Sequence, residues 1–228
     1  HRIVLATGAV ETHGVFPGND LPGVWLGRGA ARMAGVHGVR PADRAVFVAG
    51  TEEAVEHVRV LREAGVEIAA VLVPLALAAR VPPEIRTLPD ARVVAAHGRR
   101  GVRAVTVASG GLREEIACDA LVLSLGFAPR DGLLRMAEAE PVLAAGDLAR
   151  PGCSLAEAEA TGRAAGRSEP VKLRPPSGIG VGRDGIACLC EDVSLTDLRQ
   201  AWAEGWRSTE ILKRYTTATM GPCQGAMC

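Results

Sequence analysis

The chain has 228 residues, 48% of them apolar, and carries 26 Lys plus Arg against 26 Asp plus Glu, so its formal net charge is zero. That balance, with no basic stripe or polybasic run, argues against a nucleic-acid partner and against an anionic membrane surface; the longest apolar stretch, Ala69 to Ala79, is about half a membrane span and holds Pro74. Six cysteines, four of them between positions 188 and 228, are too few and too clustered for a secreted disulfide framework, so a reducing cytoplasm is the expected compartment.

In chain order, Ile3, Val4 and Leu5 form an apolar run that ends at Thr7-Gly8. A buried-type strand of this sort needs neighbours on both sides, and an opening directly on one is expected of a piece of a longer protein. RAVFVAG (Arg44 to Gly50) reads as a strand entering a glycine turn. In TEEAVEHVRVLREAG, which follows, Val55, Val58 and Leu61 recur at helical spacing and Gly65 supplies the stop. VEIAAVLVP (Val66 to Pro74) is a second strand, and the strand–helix–strand unit implies a parallel sheet covered by helices. ARVVAAHG, VRAVTVASG and EIACDALVLSLG read as further strands of the same region. PVLAAGD (Pro141 to Asp147) reads as another buried strand, SLAEAEATGRAAG (Ser154 to Gly166) as a helix capped by Ser154, and RSEPVKLRPPSG as a proline-rich linker.

After the linker the pattern changes to short helices around cysteines. Ser194-x-x-Asp197 is an acidic variant of the capping box, Leu195, Leu198 and Trp202 make an apolar stripe, and Gly205 ends the helix. Ser208 is expected to cap a second helix with Ile211, Leu212 and Tyr215 facing inward. Two such helices bury too little to hold themselves together, which points to a metal centre.

The cysteines supply one. Cys188-x-Cys190 and Cys223-x4-Cys228 are four thiols in two pairs, a ligand set that suits a [2Fe–2S] cluster or zinc. Zinc sites favour wider C-x2-4-C knuckles, so the tight first pair favours iron–sulfur; zinc and a disulfide or buried-thiol reading remain alternatives. Gly221 and Gly225 would let backbone amides approach sulfur. Cys118 and Cys153 stand alone and read as small buried apolar residues. The five histidines (His1, His13, His37, His57 and His97) show no paired spacing, and no catalytic residue is assigned.

The cysteine segment resembles the [2Fe–2S] domain related to bacterioferritin-associated ferredoxin. CLCEDV and ILKRYTTATMGPCQGAMC are similar to the version found in alpha subunits of the sarcosine oxidase family, a group that includes opine oxidases, dye-linked proline dehydrogenases and hydrogen cyanide synthase. RIVLATGAVETHGVFPGNDLPGV extends the resemblance over nearly the whole chain. It implies an α/β flavoprotein fold of two dinucleotide-binding domains, incomplete here, followed by a small all-α [2Fe–2S] domain. The implied division is a partial FAD domain at 1–40 and 126–168, an inserted NAD(P)-binding-like Rossmann domain at 41–125, a linker at 169–182 and the cluster domain at 183–228.

The same resemblance assigns Ala6, Thr7 and Gly8 to the motif where the chain leaves the FAD domain. Gly126, in Ser124-Leu125-Gly126, falls where it returns, and Gly146-Asp147 is the pair that approaches the flavin, with Asp147 on the ribityl chain. The glycine fingerprint for the FAD pyrophosphate is absent from these residues. In the inserted domain the turn reads Ala49-Gly50-Thr51-Glu52-Glu53-Ala54 where G-x-G-x-x-G/A is expected, and Glu52 and Glu53 would repel a pyrophosphate. The second strand ends in Val73-Pro74, without an acid for a ribose, so the turn argues against NAD(P). The resemblance further implies, as partner in a hetero-oligomer, a flavin-containing catalytic beta subunit, and it implies a small amine as substrate. This chain would then carry electrons. An NAD(P)H-dependent reductase and a zinc-stapled interaction module are the other readings.

Overall fold

The computed structural model describes residues 3–137, 142–174 and 184–228. Strands β1 (Ile3–Leu5) and β2 (Ala9–Glu11) come first. An α/β stretch follows, through β3 (Val24–Leu26), α1 (Gly27–Gly35), β4 (Arg44–Ala49), α2 (Glu52–Glu63), β5 (Glu67–Val73), α3 (Leu75–Ala78) and β6 (Thr87–Pro89). Strands β7 (Arg92–Gly98), β8 (Val102–Ser109) and β9 (Leu112–Ala117) then form an antiparallel meander before β10 (Ala120–Ser124). Beyond it lie β11 (Phe127–Pro129), α4 (Gly132–Met136), β12 (Val142–Ala144), a tight helical turn at Gly146–Leu148, and α5 (Leu155–Gly166). The cysteine segment holds β13 (Ile186–Cys188), β14 (Val193–Ser194), α6 (Leu195–Ala203) and α7 (Thr209–Thr216).

Two units divide these elements: His1–Thr12 with Gly126–Gly178, and His13–Leu125 with Ile179–Cys228. Strand β3 pairs in parallel with β10 and so groups with the larger unit. The cysteine segment groups with that same unit. The linker expected at 169–182 and the strand start at Pro141 lie partly or wholly outside the described residues.

In the larger unit the strand order is β3-β10-β4-β5-β6, all parallel. The central strands β4 and β10 are apolar without alternation because both faces are covered. On one face α1 and α2 pack Ala30, Ala34, Val55, Val58 and Leu61 against Phe47, Val71 and Val122. On the other, Val105, Val107 and Ile116 of the meander meet Val46, Val48, Leu72, Leu121 and Leu123. Helix α2 begins where Thr51 Oγ1 accepts a hydrogen bond from Ala54 N (3.2 Å) and stops at Gly65, whose φ of +84° lies in the left-handed region. EIACDALVLSLG, expected as one strand, is broken at Cys118-Asp119. There the Asp119 carboxylate accepts from Asp43 N (2.9 Å) and Arg44 N (2.8 Å), pinning the entrance of β10 to that of β4.

In the smaller unit β1 pairs in parallel with β12, and β2 pairs antiparallel with β11. Ile3 and Val4 remain 48% exposed, unlike a fully buried strand, since β12 is the one neighbour of β1 among the described residues. The small core here is Ala144, Leu148 and Ala149 with Leu5, Leu134 and Val171. Helix α5 opens on a full capping box: Glu157 N donates to Ser154 Oγ (3.3 Å) and Ser154 N to Glu157 Oε2 (3.0 Å). No helix among the described residues is long and apolar enough to cross a membrane.

Glu157 makes this unit's stability depend on pH. The backbone bond from Ser154, then Arg174 (2.6 Å) and Arg150 (3.5 Å), hold its carboxyl down at about 2. A carboxyl depressed on folding stabilises the fold above its unfolded pKa of about 4.3. That contribution is lost as pH falls from there toward 2. Glu157→Gln is therefore expected to lower stability at neutral pH and to flatten the acid limb of a denaturation-midpoint profile between about pH 4 and 2.

Candidate metal centre

The cysteine segment starts as a hairpin. Ile186 pairs with Ser194 and Cys188 with Val193, with a bulge between them, so the expected all-helical segment also carries a short antiparallel pair. The Ser194–Asp197 capping box forms as expected, with Asp197 N donating to Ser194 Oγ (3.1 Å) and Ser194 N to Asp197 Oδ2 (2.8 Å). The buried side of α6 is Leu198 and Ala201, while Trp202 is 52% exposed and does not join the stripe. Ser208 stands at the N-cap of α7 without a side-chain cap bond. Ile211 and Tyr215 are exposed, Tyr215 resting on Trp206 with ring centroids 5.4 Å apart. What remains as core is Cys188, Val193, Ala218 and Leu198.

All six thiols are free. Cys188 is buried, Cys223 half-buried, and Cys190 and Cys228 exposed. Electrostatic interactions link Cys188 to Cys228 and Cys190 to Cys223, and the loop carrying Cys223 lies against Cys190 at Gly221. No group of three or more His, Cys, Asp or Glu side chains is set to hold a metal among the described residues. Burial opposes the Cys188 thiolate, but backbone bonds involving Thr219, Glu191 and Cys190 and the Cys228 side chain outweigh it and lower its pKa. Backbone bonds at Met227, Gly225 and Ala226, with the Cys190 side chain, lower that of Cys223. Each partner moves the opposite way. Burial and Cys188 push Cys228 up to about 11; at Cys190 a backbone bond involving Cys223 lowers the pKa, but the Cys223 side chain, burial and the nearby Cys223 and Cys188 charges together outweigh it and raise it.

The loops around the thiols are conformationally costly. Asp192, Thr217, Thr219 and Gln224 all have positive φ, between 50° and 71°, a region that non-glycine residues rarely occupy. Gln224 Nε2 steadies its loop by donating to Gly221 O (3.0 Å) and Met220 O (3.2 Å). Gly221 is needed for space: a Cβ there would stand 2.4 Å from Cys190 Cβ.

Asn19, which the sequence did not single out, fastens this segment to the rest of its unit. Its side-chain amide donates to Ile186 O (2.7 Å) and Gly14 O (2.8 Å) and accepts from Ile186 N (2.9 Å), imitating one rung of a strand two residues before Cys188. Gly185 makes the approach possible, because a Cβ there would lie 2.4 Å from Phe16 O.

The flavin-motif residues lie in the smaller unit. Leu5 pairs with Ala144 and Ala145 N donates to Leu5 O (2.9 Å), so Ala6-Thr7-Gly8 and Gly146-Asp147 emerge together at the carboxyl ends of β1 and β12. Thr7 Oγ1 donates to Arg130 O (2.7 Å) and Arg130 N to Gly8 O (2.9 Å). Gly126 O accepts from Thr12 N (3.0 Å) and Thr12 Oγ1 (3.2 Å). Gly8 and Gly146 have φ of +78° and +63°, and nothing lies within 4 Å of where a Cβ would stand on either. Asp147 Oδ1 accepts from Cys153 N (3.1 Å), and Gly146 N donates to the buried Thr161 Oγ1 (2.9 Å).

Residues 183–228 match the sarcosine oxidase A3 domain. Across 99% of its length the chain is 30% identical to the alpha subunit of the sarcosine oxidase of Rhizobium meliloti (strain 1021). Residues 183–228 therefore carry a sarcosine oxidase A3 domain, and over nearly its whole length the chain is similar to a sarcosine oxidase alpha subunit. It spans 27% of that relative's length. An opine oxidase subunit of the same organism is 36% identical over 59 residues, which is 26% of this chain and 12% of that protein. Among solved structures, L-proline dehydrogenase from P. horikoshii covers the whole chain and 51% of its own, with a TM-score of 0.67 at 22% identity. Thioredoxin reductase from T. acidophilum covers 73% of this chain and 64% of its own, with a TM-score of 0.57 at 16% identity. At these identities the structures establish the fold alone, a mixed α/β arrangement built on a parallel sheet.

Two substitutions probe how the chain holds its cysteine segment. Asn19→Ala leaves the Ile186 amide and carbonyl without partners and is expected to cost about 1–3 kcal/mol, read as a lower denaturation midpoint. Gly221→Ala forces the two cysteine loops apart, and should raise the reaction rate of Cys190 and Cys223 with a thiol reagent while leaving buried Cys118 unreactive.

Proposed function

We propose that this chain is the electron-carrying part of a flavin-dependent oxidoreductase that acts on a secondary amine or amino acid such as sarcosine. In this reading it holds FAD in the smaller unit and a [2Fe–2S] cluster at Cys188, Cys190, Cys223 and Cys228. The amine is oxidised at the flavin of a separate beta subunit in a cytoplasmic hetero-oligomer. The observation that carries the reading is the close approach of the Cys223 loop to Cys190, at Gly221, in a four-cysteine segment that matches the A3 domain.

The donor set fits the cluster. Four thiols, on a segment with almost no apolar core, have the composition of a four-cysteine iron–sulfur site. Such a group supplies one-electron transfer when bound. The chain's own contribution is to lower the thiol pKa of Cys188 and Cys223 through backbone bonds, to hold the Cys188 strand by Asn19, and to give Cys190 room through Gly221. For FAD, the open space over Gly8 and Gly146 leaves backbone at two strand ends approachable by a ligand, the position at which α/β sheets bind cofactors. Asp147, between that backbone and the first turn of α5, is the acceptor assigned to the ribityl chain.

Anaerobic purification of the assembled enzyme should give two irons and two labile sulfides per chain and a [2Fe–2S] EPR signal on reduction. One zinc per chain without sulfide would replace this reading with the zinc-stapled module. Asp147→Ala is expected to weaken FAD retention on gel filtration, and adding the cognate amine to the assembly should bleach the cluster's visible absorbance.

A further inference from the structure

The carboxyl ends of β3, β10, β4 and β5 line the edge where sheets of this kind take nucleotides. The crevice opens between β4 and β10, whose connections run over opposite faces of the sheet. In a dinucleotide site the pyrophosphate lies over the helix after the first strand, here α2. The adenosine half lies over the next strand, here β5, and the other half toward β10 and β3. Here that edge is tied to itself. Gly50 N donates to Ser124 O (2.7 Å), and a Cβ on Gly50 would meet Leu125 O at 2.5 Å, so the turn is drawn against the exit of β10. Ala54 N is taken by Thr51 Oγ1.

The two acids at the start of α2 reach in opposite directions. Glu52 pairs with Arg80 (3.0 Å), which follows α3 on the β5 side. Glu53 takes the guanidinium of Arg28, in the first turn of α1 on the β3 side, in a two-point contact of 2.8 and 2.9 Å. His57 Nε2 lies 3.5 Å from the same carboxylate. The bond to His57 and, against partial burial, those to Arg28 hold the Glu53 carboxyl at about 2, so it stays charged across the working pH range.

We propose that Glu52 and Glu53 set the specificity of this domain: they engage Arg80 and Arg28 as internal counter-ions on the two sides of the crevice and exclude a pyrophosphate from it. A diphosphate approaching the first turn of α2 meets two carboxylates in place of the bare helix N-terminus that would attract it, and it meets arginines that are already neutralised. The inference rests on the fold of this unit and not on the amine reading, so either can fail without the other.

The test uses the assembled, flavin-loaded protein and two probes, ADP and NADH, with binding followed by calorimetry and by NADH fluorescence. Wild type is expected to show no saturable binding of either. Glu52→Gln with Glu53→Gln removes both charges at nearly constant shape and should bind ADP saturably, at least about tenfold more tightly than the detection limit that wild type fails to reach, the scale of a nearby unit charge in a partly screened site. Adding Arg80→Ala to that pair should remove most of the gain. Glu52→Gln alone, in an exposed ion pair on which folding does not depend, should show part of it even if the double variant folds poorly. Saturable NADH binding by wild type, or a Glu52→Gln variant with unchanged circular dichroism and Tm that binds ADP no better than wild type, overturns the proposal.

Discussion

Strand β10 lies in parallel register between β3 and β4, and the rest of the larger unit depends on that placement. Its five residues are all buried, so it is the strand that makes both faces of the sheet core. It brings the meander onto the face opposite α1 and α2, and it delivers Ser124 to the backbone of Gly50. The division between the units also falls just after it, between Leu125 and Gly126. Asp119 fixes its start, through two backbone amides, to the start of β4. One strand thereby determines where the inserted domain closes and how its glycine turn is held.

The cysteine segment is built on a different balance. Its apolar core is four side chains, one of them a cysteine, and several of its loop residues sit in backbone conformations that cost free energy. Little else within it offsets that cost, since its largest side chains, Trp202, Trp206 and Tyr215, lie outward. Two capping residues, one asparagine from a distant part of the chain and the close approach of the Cys223 loop to Cys190 are what define it. The strain at Asp192, Thr217, Thr219 and Gln224 falls around the thiols, where backbone geometry decides which amides face sulfur.

Much of this was legible in the sequence where the signal is local and repeated. Val55, Val58 and Leu61 of α2 are buried as their spacing predicts, Ser154 caps α5 as expected, and the capping box at Ser194 forms because its three-residue reciprocity is written in the sequence. The inward assignment of Trp202, Ile211 and Tyr215 was wrong. On helices of eight or nine residues, apolar spacing does not say whether anything lies opposite, and here small residues (Ala201, Ala218) take the interior. The grouping of β3 with the larger unit was not legible, because β3 has three residues and no alternation to announce its pairing with β10. Asn19 was invisible for another reason: its amide replaces a backbone rung with a partner 167 residues away, and no local pattern encodes that.

Aromatic residues are scarce in this chain, and their distribution has an optical consequence. Of three tryptophans, Trp202 and Trp206 belong to the cysteine segment, while Trp25 sits in β3 against the helical face of the sheet. Ultraviolet-excited emission is therefore weighted toward the 41-residue span from Cys188 to Cys228 (228 − 188 + 1) rather than toward the sheet that holds most of the buried mass. Emission and far-ultraviolet dichroism look at different parts of the molecule, and a chromophore seated among the thiols would quench the first while leaving the second untouched.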